Sequence, residues 1–542
     1  MKQKKIGLLV CALIMSSILS ACSSKSNKTI NENQKQVLNL TISEEMPSLD
    51  TAKAMDGTSS HVMQNIFEGL YVLDNQDRPI PGVAKSFERS EDGKRYTFHL
   101  RKDAKWSNGE MVTAHDFTFA WKRTLSPETA SQYAYLLFYI KKAKEINEGI
   151  VAADQLGVKA LDNHTLEVEL EQPVPYLLQL LALPIYLPQN ESFVKEQGNS
   201  YGLEPNHLIY NGAFVLEKWK HEQEFQLKKN NTYWDKEQVK LEAINFHIVK
   251  DSMTALNLYE SGSIDRAPVS AKFVDKYKGK KELHMKKDSG IAMLRFNEKN
   301  TTLANKKTRQ SISLALNKEG IVDHFINNGA TPAEGLIPIG YKNETNGKDF
   351  RQENGAFAVY DLQKAKQTWE VAKKELNTEN VTLEFLTFEQ DNAKHIAEYI
   401  KGELEKHLQG LTIQIKQQPS KQKLQLEQTG QYDISMVGWG PDYKDPISYL
   451  ELFTTDNPNN KMEYSNSSFD DLISKARHDV VLDQQKRWDY LREAERVLLE
   501  DAAVAPLYHT GLAYVQKEYV KGIKKHQFGG VYTYKNAYIN KK

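Results

Sequence analysis

The sequence predicts an α/β protein of several lobes, and three observations lead there. Segments that alternate apolar and polar residues are interspersed along the whole chain with segments whose apolar residues recur every three or four positions, so strands and helices are mixed rather than segregated. The 542 residues amount to roughly three to four domains at about 150 residues each. No long Gly/Ser or Pro stretch divides the body, so the lobes are expected to be joined by strand crossovers, and no repeat of fixed period marks a solenoid.

The elements follow in order. Lys2, Lys4 and Lys5 precede a nearly uncharged apolar stretch at 6–19. It is shorter than the ~20 residues of a membrane span and has the pattern of a secretory signal, residues 1–21. Residues 22–36 are rich in Ser, Asn, Lys and Gln, lack aromatics and read as a flexible tether. Val37–Ile42 alternates as a strand. Asp92-Gly93 is a hairpin signal, followed by Tyr96, Phe98 and Leu100 on one face and Thr97, His99 and Arg101 on the other. Thr113-Ala-His-Asp116 has the form of a capping box with Asp in place of Glu; it opens a helix through Phe117, Ala120 and Trp121. Leu166, Val168 and Leu170 mark another strand. Leu362, Ala365, Trp369, Ala372 and Leu376 mark a helix with Asp361 as its N-cap. Leu411, Ile413 and Ile415 alternate again. The apolar run 434–437 reads as a strand ending at Gly438-Trp439-Gly440. A last helix spans Gln484–Glu500 with Trp488, Leu491 and Leu498 inward; Ala505-Pro506 ends it and Leu507-Tyr508 begins a strand.

Composition limits the function. Lys+Arg and Asp+Glu both number 71, with 26% charged and 40% hydrophobic residues. This is ordinary globular composition and argues against a generally basic nucleic-acid binder. Loss of residues 1–21 removes three lysines and leaves a mildly acidic body with a net charge of −3. Of the two cysteines, Cys11 lies in the apolar stretch and Cys22 just after it. The body therefore has no disulfide, no Cys nucleophile and no Cys–metal site.

No catalytic motif appears: H-E-x-x-H, G-x-S-x-G and G-x-x-x-x-G-K-[ST] are all missing. His395 and His407, twelve apart near one helix, read as a solvated face, since metal sites want i, i+4 pairs or close clusters. No glycosidase dyad is marked, and a Ser-His-Asp set assembled only in three dimensions stays open. No cofactor, metal or catalytic residue is assigned.

Two resemblances are specific. Leu19-Ser20-Ala21-Cys22 resembles the bacterial lipobox; the resemblance implies cleavage before Cys22 and diacylglycerol on its thiol, against the alternative of an ordinary secretory peptide with an incidental Cys. In the body, Ala84-Lys-Ser-Phe87, Asp92-Gly-Lys-Arg-Tyr-Thr-Phe-His-Leu-Arg-Lys-Asp-Ala-Lys-Trp106-Ser-Asn-Gly109 and Val112-Thr-Ala-His-Asp-Phe117 resemble the signature of extracellular solute-binding proteins of oligopeptide ABC importers. Matches continue at Phe67-Glu-Gly-Leu70, Ser131-Gln-Tyr-Ala134, Asn211-Gly-Ala-Phe214, Tyr233-Trp-Asp235, Gly438-Trp-Gly-Pro-Asp-Tyr-Lys-Asp-Pro446 and Ala505-Pro506.

The resemblance implies a periplasmic-binding-protein-like clamshell of two hinged lobes with a third domain on the first. Domain I would take 37–67, 193–290 and 510–542, domain II 68–192 and domain III 291–509, with a peptide held as an extended strand between domains I and III. A receptor for varied peptides satisfies what all of them share: strand-like pairing meets the backbone, and a carboxylate meets the α-ammonium. Gly438 and Gly440 let another backbone approach. Asp442 on its own is a Gly-rich turn's exposed Asp; by the resemblance it is the carboxylate that pairs with the peptide amino group. Trp439 either flanks a ligand side chain or belongs to the core. Met55, Asp56 and Gly57 would form the opposing edge, with Tyr133 and Asn211 as cleft residues; Tyr133 reads equally as a structural aromatic. Some relatives carry an Arg where this chain has Met436, which puts fixed recognition of a peptide carboxyl terminus in doubt.

The implied partners are an oligopeptide, the membrane subunits of an ABC permease with separate ATPase subunits, and membrane lipid through Cys22. The implied place is the outer face of a Gram-positive cell membrane, as a monomer without nucleic acid. A dedicated receptor for a signalling peptide, such as a conjugation pheromone, shares the same motifs. An exported peptidase and an adhesion lipoprotein are the competing classes. Nothing in the residues promotes the nickel- or haem-binding variants of similar folds.

Overall fold

The computed structural model describes residues 35–54, 56–343, 345–389, 391–455, 457–478, 483–528 and 532–541. The signal segment, Cys22, most of the tether and Met55 lie outside the described residues.

Three sheets of four or more strands carry the fold among the described residues. In the first, Val37–Ile42 runs parallel to Ala243–Ile248, followed by Glu224–Lys229 and Phe214–Lys220 as antiparallel neighbours. In Val37–Ile42 the alternation is the one read from sequence, with Leu38 and Leu40 buried, and Ile244 and Phe246 are buried on the neighbouring strand. The second is wholly antiparallel, in the order Ala84–Arg89, Arg95–Leu100, Thr165–Glu169, Val158–Asp162. Tyr96, Phe98, Leu100, Leu166 and Val168 face its core. The hairpin turn forms at Asp92-Gly93, with Gly93 at φ 69°, a left-handed conformation that glycine adopts without steric cost. The helix Ala114–Leu125 starts at Thr113, whose amide donates to the Asp116 carboxylate at 2.7 Å, so Asp serves the shortened capping box.

The third sheet has seven strands. Its order is Arg266–Pro268, Val504–Gln516, Leu283–Phe296, Ile434–Trp439, Val381–Phe388, Leu411–Gln418, with Thr331–Pro332 also pairing on Val504–Gln516. Val381–Phe388 is parallel to both neighbours, and parallel strands need cover on both faces. Helices Leu362–Leu376 and Asp391–His407 belong to this part; Trp369, Ile396 and Ile400 pack with Phe385, Ile413 and Ile434 in one core. Asp361 caps the first of these helices by accepting from Lys364 N at 3.0 Å.

One boundary differs from the expectation. The helix ends at Glu500, as read, but the strand begins at Val504 and passes through Pro506. Proline has no amide to give a central strand. The register shifts there, with Ala292 opposite Tyr508 and Met293 opposite Pro506, so a bulge at Leu507 absorbs the missing donor.

Candidate binding cleft

The site grows out of the strand Ile434–Trp439. Ile434 and Met436 are buried in the core of the large sheet, and residues 434–439 pair along their whole length with Leu283–Phe296. On the other side, pairing with Val381–Phe388 covers only Ile434 and Ser435. From Met436 to Trp439 the second edge has no partner strand among the described residues, and these residues line a cleft of about 710 Å³. Free amides and carbonyls on such an edge are a template for one more strand.

Gly438 and Gly440 sit at this edge, both exposed. A Cβ on Gly438 would meet nothing closer than Ile291 O at 3.8 Å, and one on Gly440 would meet nothing within 4 Å. Neither has a positive φ, so the backbone does not require glycine; the missing side chains leave space in the cleft. Trp439 lines the cleft, packs against the main core and donates its indole N–H to Ser448 O at 3.0 Å.

Asp442 follows on a loop fixed from several directions. Tyr443 stacks on Tyr176 with ring centroids 4.3 Å apart and donates to Glu451 Oε1 at 2.8 Å. Lys444 N donates to Gln179 Oε1 at 2.8 Å. Asp445 accepts two bonds from the Arg487 guanidinium, at 2.8 and 2.9 Å. Asp442 itself lines the cleft and has no hydrogen bond or ion pair among the described residues. Burial, and then the charge of Glu451, push its carboxyl up to about 7. Glu451 is itself engaged by Arg477, and among the described residues no cation pairs with Asp442. A carboxylate with no counter-charge in a half-closed space suits an incoming ammonium.

The opposite wall comes from the helix Gly57–Ile66, whose N-cap Asp56 accepts from Ser59 N at 2.7 Å. Gly57 lines the cleft and has open space where a Cβ would stand. Tyr133 lines it too, half-buried and stacked on Tyr135 at 5.9 Å; burial, then Asp442, then Asp56 raise its phenol above the usual range. The structure thus brings Gly438, Trp439, Gly440, Asp442, Gly57 and Tyr133 around one space, with Asp56 capping the wall.

Asn211 is a correction: it does not line the cleft. It is buried, accepts from Glu68 N at 3.0 Å and donates to Glu68 O at 2.8 Å. Its amide ties two backbone segments together, a structural task that the motif alone does not distinguish from ligand contact.

Sequence reasoning missed most of the walls. Leu183, Ile185, Phe388, Ile396 and Tyr508 make them apolar, and Asp288 pairs with Lys525 at 2.7 Å along the lining. These residues come from distant segments and share no local pattern. Among the described residues no three His, Cys, Asp or Glu side chains gather as a metal site requires, and no helix is long and apolar enough to cross a membrane.

Comparisons with known proteins agree over most of the chain. Residues 78–461 match the family described as bacterial extracellular solute-binding proteins, family 5 Middle. Dipeptide-binding protein DppE of Bacillus subtilis (strain 168) is 32% identical over 534 residues, 97% of each chain. A solved substrate-binding domain of an oligopeptide ABC transporter from Bacillus anthracis str. Ames is 48% identical, with a TM-score of 0.82 over 94% of this chain and 99% of that one. The solved pheromone receptor PrgZ is 35% identical, with a TM-score of 0.82 over 94% and 100%. The fold is therefore the α/β clamshell of periplasmic-binding-protein type. The chain belongs to family 5 of the bacterial extracellular solute-binding proteins, a family of receptors rather than enzymes.

Proposed function

We propose that this receptor captures oligopeptides in the cleft and delivers them to an ABC permease whose ATPase subunits are separate chains. The observation that carries the reading is an Asp442 carboxylate without a counter-charge beside a strand edge left open at 436–439. The edge pairs with the peptide backbone and Asp442 with its amino group; the roomy apolar walls accept varied side chains. The names of DppE and of the Bacillus anthracis transporter domain support peptides as the solute. Mass spectrometry of what the gently purified exported chain carries tests it: short peptides are expected, and their absence together with no binding of added peptides sinks it.

The domain division belongs to the same reading. Leu283–Phe296 and Val504–Gln516 are long strands that cross the proposed boundary between domains I and III, and their pairing breaks between Lys287 and Ile291. Such paired crossovers are natural hinges for closure around a ligand. The lipobox-like stretch ending at Cys22 supports anchoring by acyl chains to the outer face of the cell membrane, and a monomer is the expectation from the family resemblance; palmitate labelling that persists in Cys22→Ala would refute the anchor.

A narrower reading is a receptor for one hydrophobic signalling peptide. It is favoured by the likeness to PrgZ and by Met436, apolar and in the cleft lining. Breadth separates the two: a nutrient receptor carries a mixed population, a signal receptor one sequence.

The strand edge makes its own prediction. Gly438→Val adds a β-favouring side chain where a Cβ meets only ordinary contact, so stability changes by about 0.5 kcal/mol or less. The side chain stands where the ligand backbone approaches, and peptide affinity falls more than about tenfold, ~1.4 kcal/mol. Thermal melting and calorimetric titration of the same sample check both halves.

A further inference from the structure

Asp442, Tyr133 and Leu136 line the cleft but not the second hollow of about 890 Å³ that adjoins it. Asn392, Tyr508 and Thr510 line both. The two spaces are continuous but differ in chemistry. The cleft is walled by residues such as Phe388, Ile396 and Met436. The second space is an open groove bordered by Ser270, Lys272, Asp275, Asp323, His324 and His395, all but Ser270 exposed. Lys272 has the Phe273 ring at 5.0 Å and, among the described residues, no carboxylate in ion-pair range.

We propose that this groove is a subsite for the carboxyl-terminal residues of long peptides, so that the protein takes ligands that the cleft alone does not contain. The inference rests on the peptide reading of the cleft and adds a length and a polarity to it. With the amino group at Asp442, pairing along 436–439 takes about four residues, roughly 13 Å at 3.3 Å each. Met436 is apolar and holds no carboxylate there, and Asn392 and Thr510 belong to the lining of both spaces. The chain of a longer peptide leaves between these residues. Its next residues enter a groove that has Phe325 and Ile326 in its lining but carries both charge signs on exposed side chains, Lys272, Asp275 and Asp323, which suits polar side chains. The preferred ligand is apolar in its first half and polar in its second, with Lys272 near the exit to meet a terminal carboxylate.

The test titrates the full exported chain with peptides of four, six, eight and ten residues that share an apolar amino-terminal half. The octapeptide is expected to bind at least tenfold more tightly than the tetrapeptide. His395→Trp and Asp323→Trp change exposed groove residues; each is expected to abolish that gain and leave tetrapeptide affinity within twofold. A photoreactive group on the octapeptide's last residue is expected to label segments 270–275 or 323–328. An octapeptide no tighter than the tetrapeptide, or a gain that survives both variants with labelling confined to the cleft, overturns the groove and leaves the cleft reading intact. Failure of every peptide, the tetrapeptide included, overturns both.

Discussion

Asp442→Asn is expected to weaken peptide binding by about 10²–10³-fold while making the empty protein more stable. Both effects come from one fact: the wild-type carboxylate has no counter-charge of its own and is raised to about 7 by burial first and Glu451 second. A bound ammonium supplies that charge, and losing one partner of a desolvated pair costs on the order of 3–5 kcal/mol. The stability sign follows from proton linkage. The unfolded carboxyl titrates near its ordinary value of 3.8, the folded one at about 7. Between these values the native state holds the extra proton, so stability falls as pH rises through the window and the penalty is complete above pH 7. After discounting for partial exposure the penalty is on the order of 2 kcal/mol. Asn removes it, so the melting temperature at pH 8 rises by roughly 2 °C for a chain of this size, and the difference vanishes near pH 3.5. Wild-type affinity carries the opposite signature: acidification from pH 7.5 to 5.5 protonates Asp442 and lowers affinity roughly 20-fold, whereas the Asn variant is flat over that range. Calorimetric titration and melting at matched pH decide it; an affinity unchanged by the substitution sinks the assignment of Asp442.

The contrast between Asp442 and Asn211 shows what was legible in the sequence. Period-two strands, the Thr113–Asp116 cap and the Asp361 cap are local and appear where they were read. The run 434–437 was legible as a strand that ends at the glycine pair, whereas Asp442 stood out only through the family resemblance, since on its own it reads as a turn residue. Asn211 lay in an equally strong motif, yet its amide serves Glu68; a motif marks a constrained position and does not say whether the constraint is a ligand or a fold. The apolar walls were invisible. Phe388 and Tyr508 meet because the seven-stranded sheet takes its strands out of chain order, and Leu183 and Ile396 join them from segments outside that sheet. Pro506 misled for a related reason: proline reads as a strand breaker until a bulge, which depends on the partner strand, accommodates it.

Arg487→Met is expected to be the most destabilising change near the site. The guanidinium and the Asp445 carboxylate are both largely withdrawn from water, bidentate at 2.8 and 2.9 Å, and Arg487 Nε also donates to Ala476 O at 3.1 Å. Removing the cation leaves Asp445 charged and unpaired beside the Ile447 amide it accepts from at 2.9 Å, at a cost of about 3–5 kcal/mol. The melting temperature falls by roughly 3–5 °C if the chain unfolds in one transition. Asp445→Leu in the same chain is expected to return most of the loss, because an apolar pair of similar volume escapes the desolvation penalty of both charges. Affinity separates the pair's second task from its first. Asp442 lies three residues before Asp445, and the bidentate clamp together with the Tyr176–Tyr443 stack sets where its carboxylate points. The double variant therefore regains stability without regaining peptide affinity, which stays more than about tenfold down. Recovery of both in the double variant would assign Arg487 and Asp445 to folding alone. Recovery of stability only makes the clamp the means by which the body of the protein holds a lone carboxylate in position for its ligand.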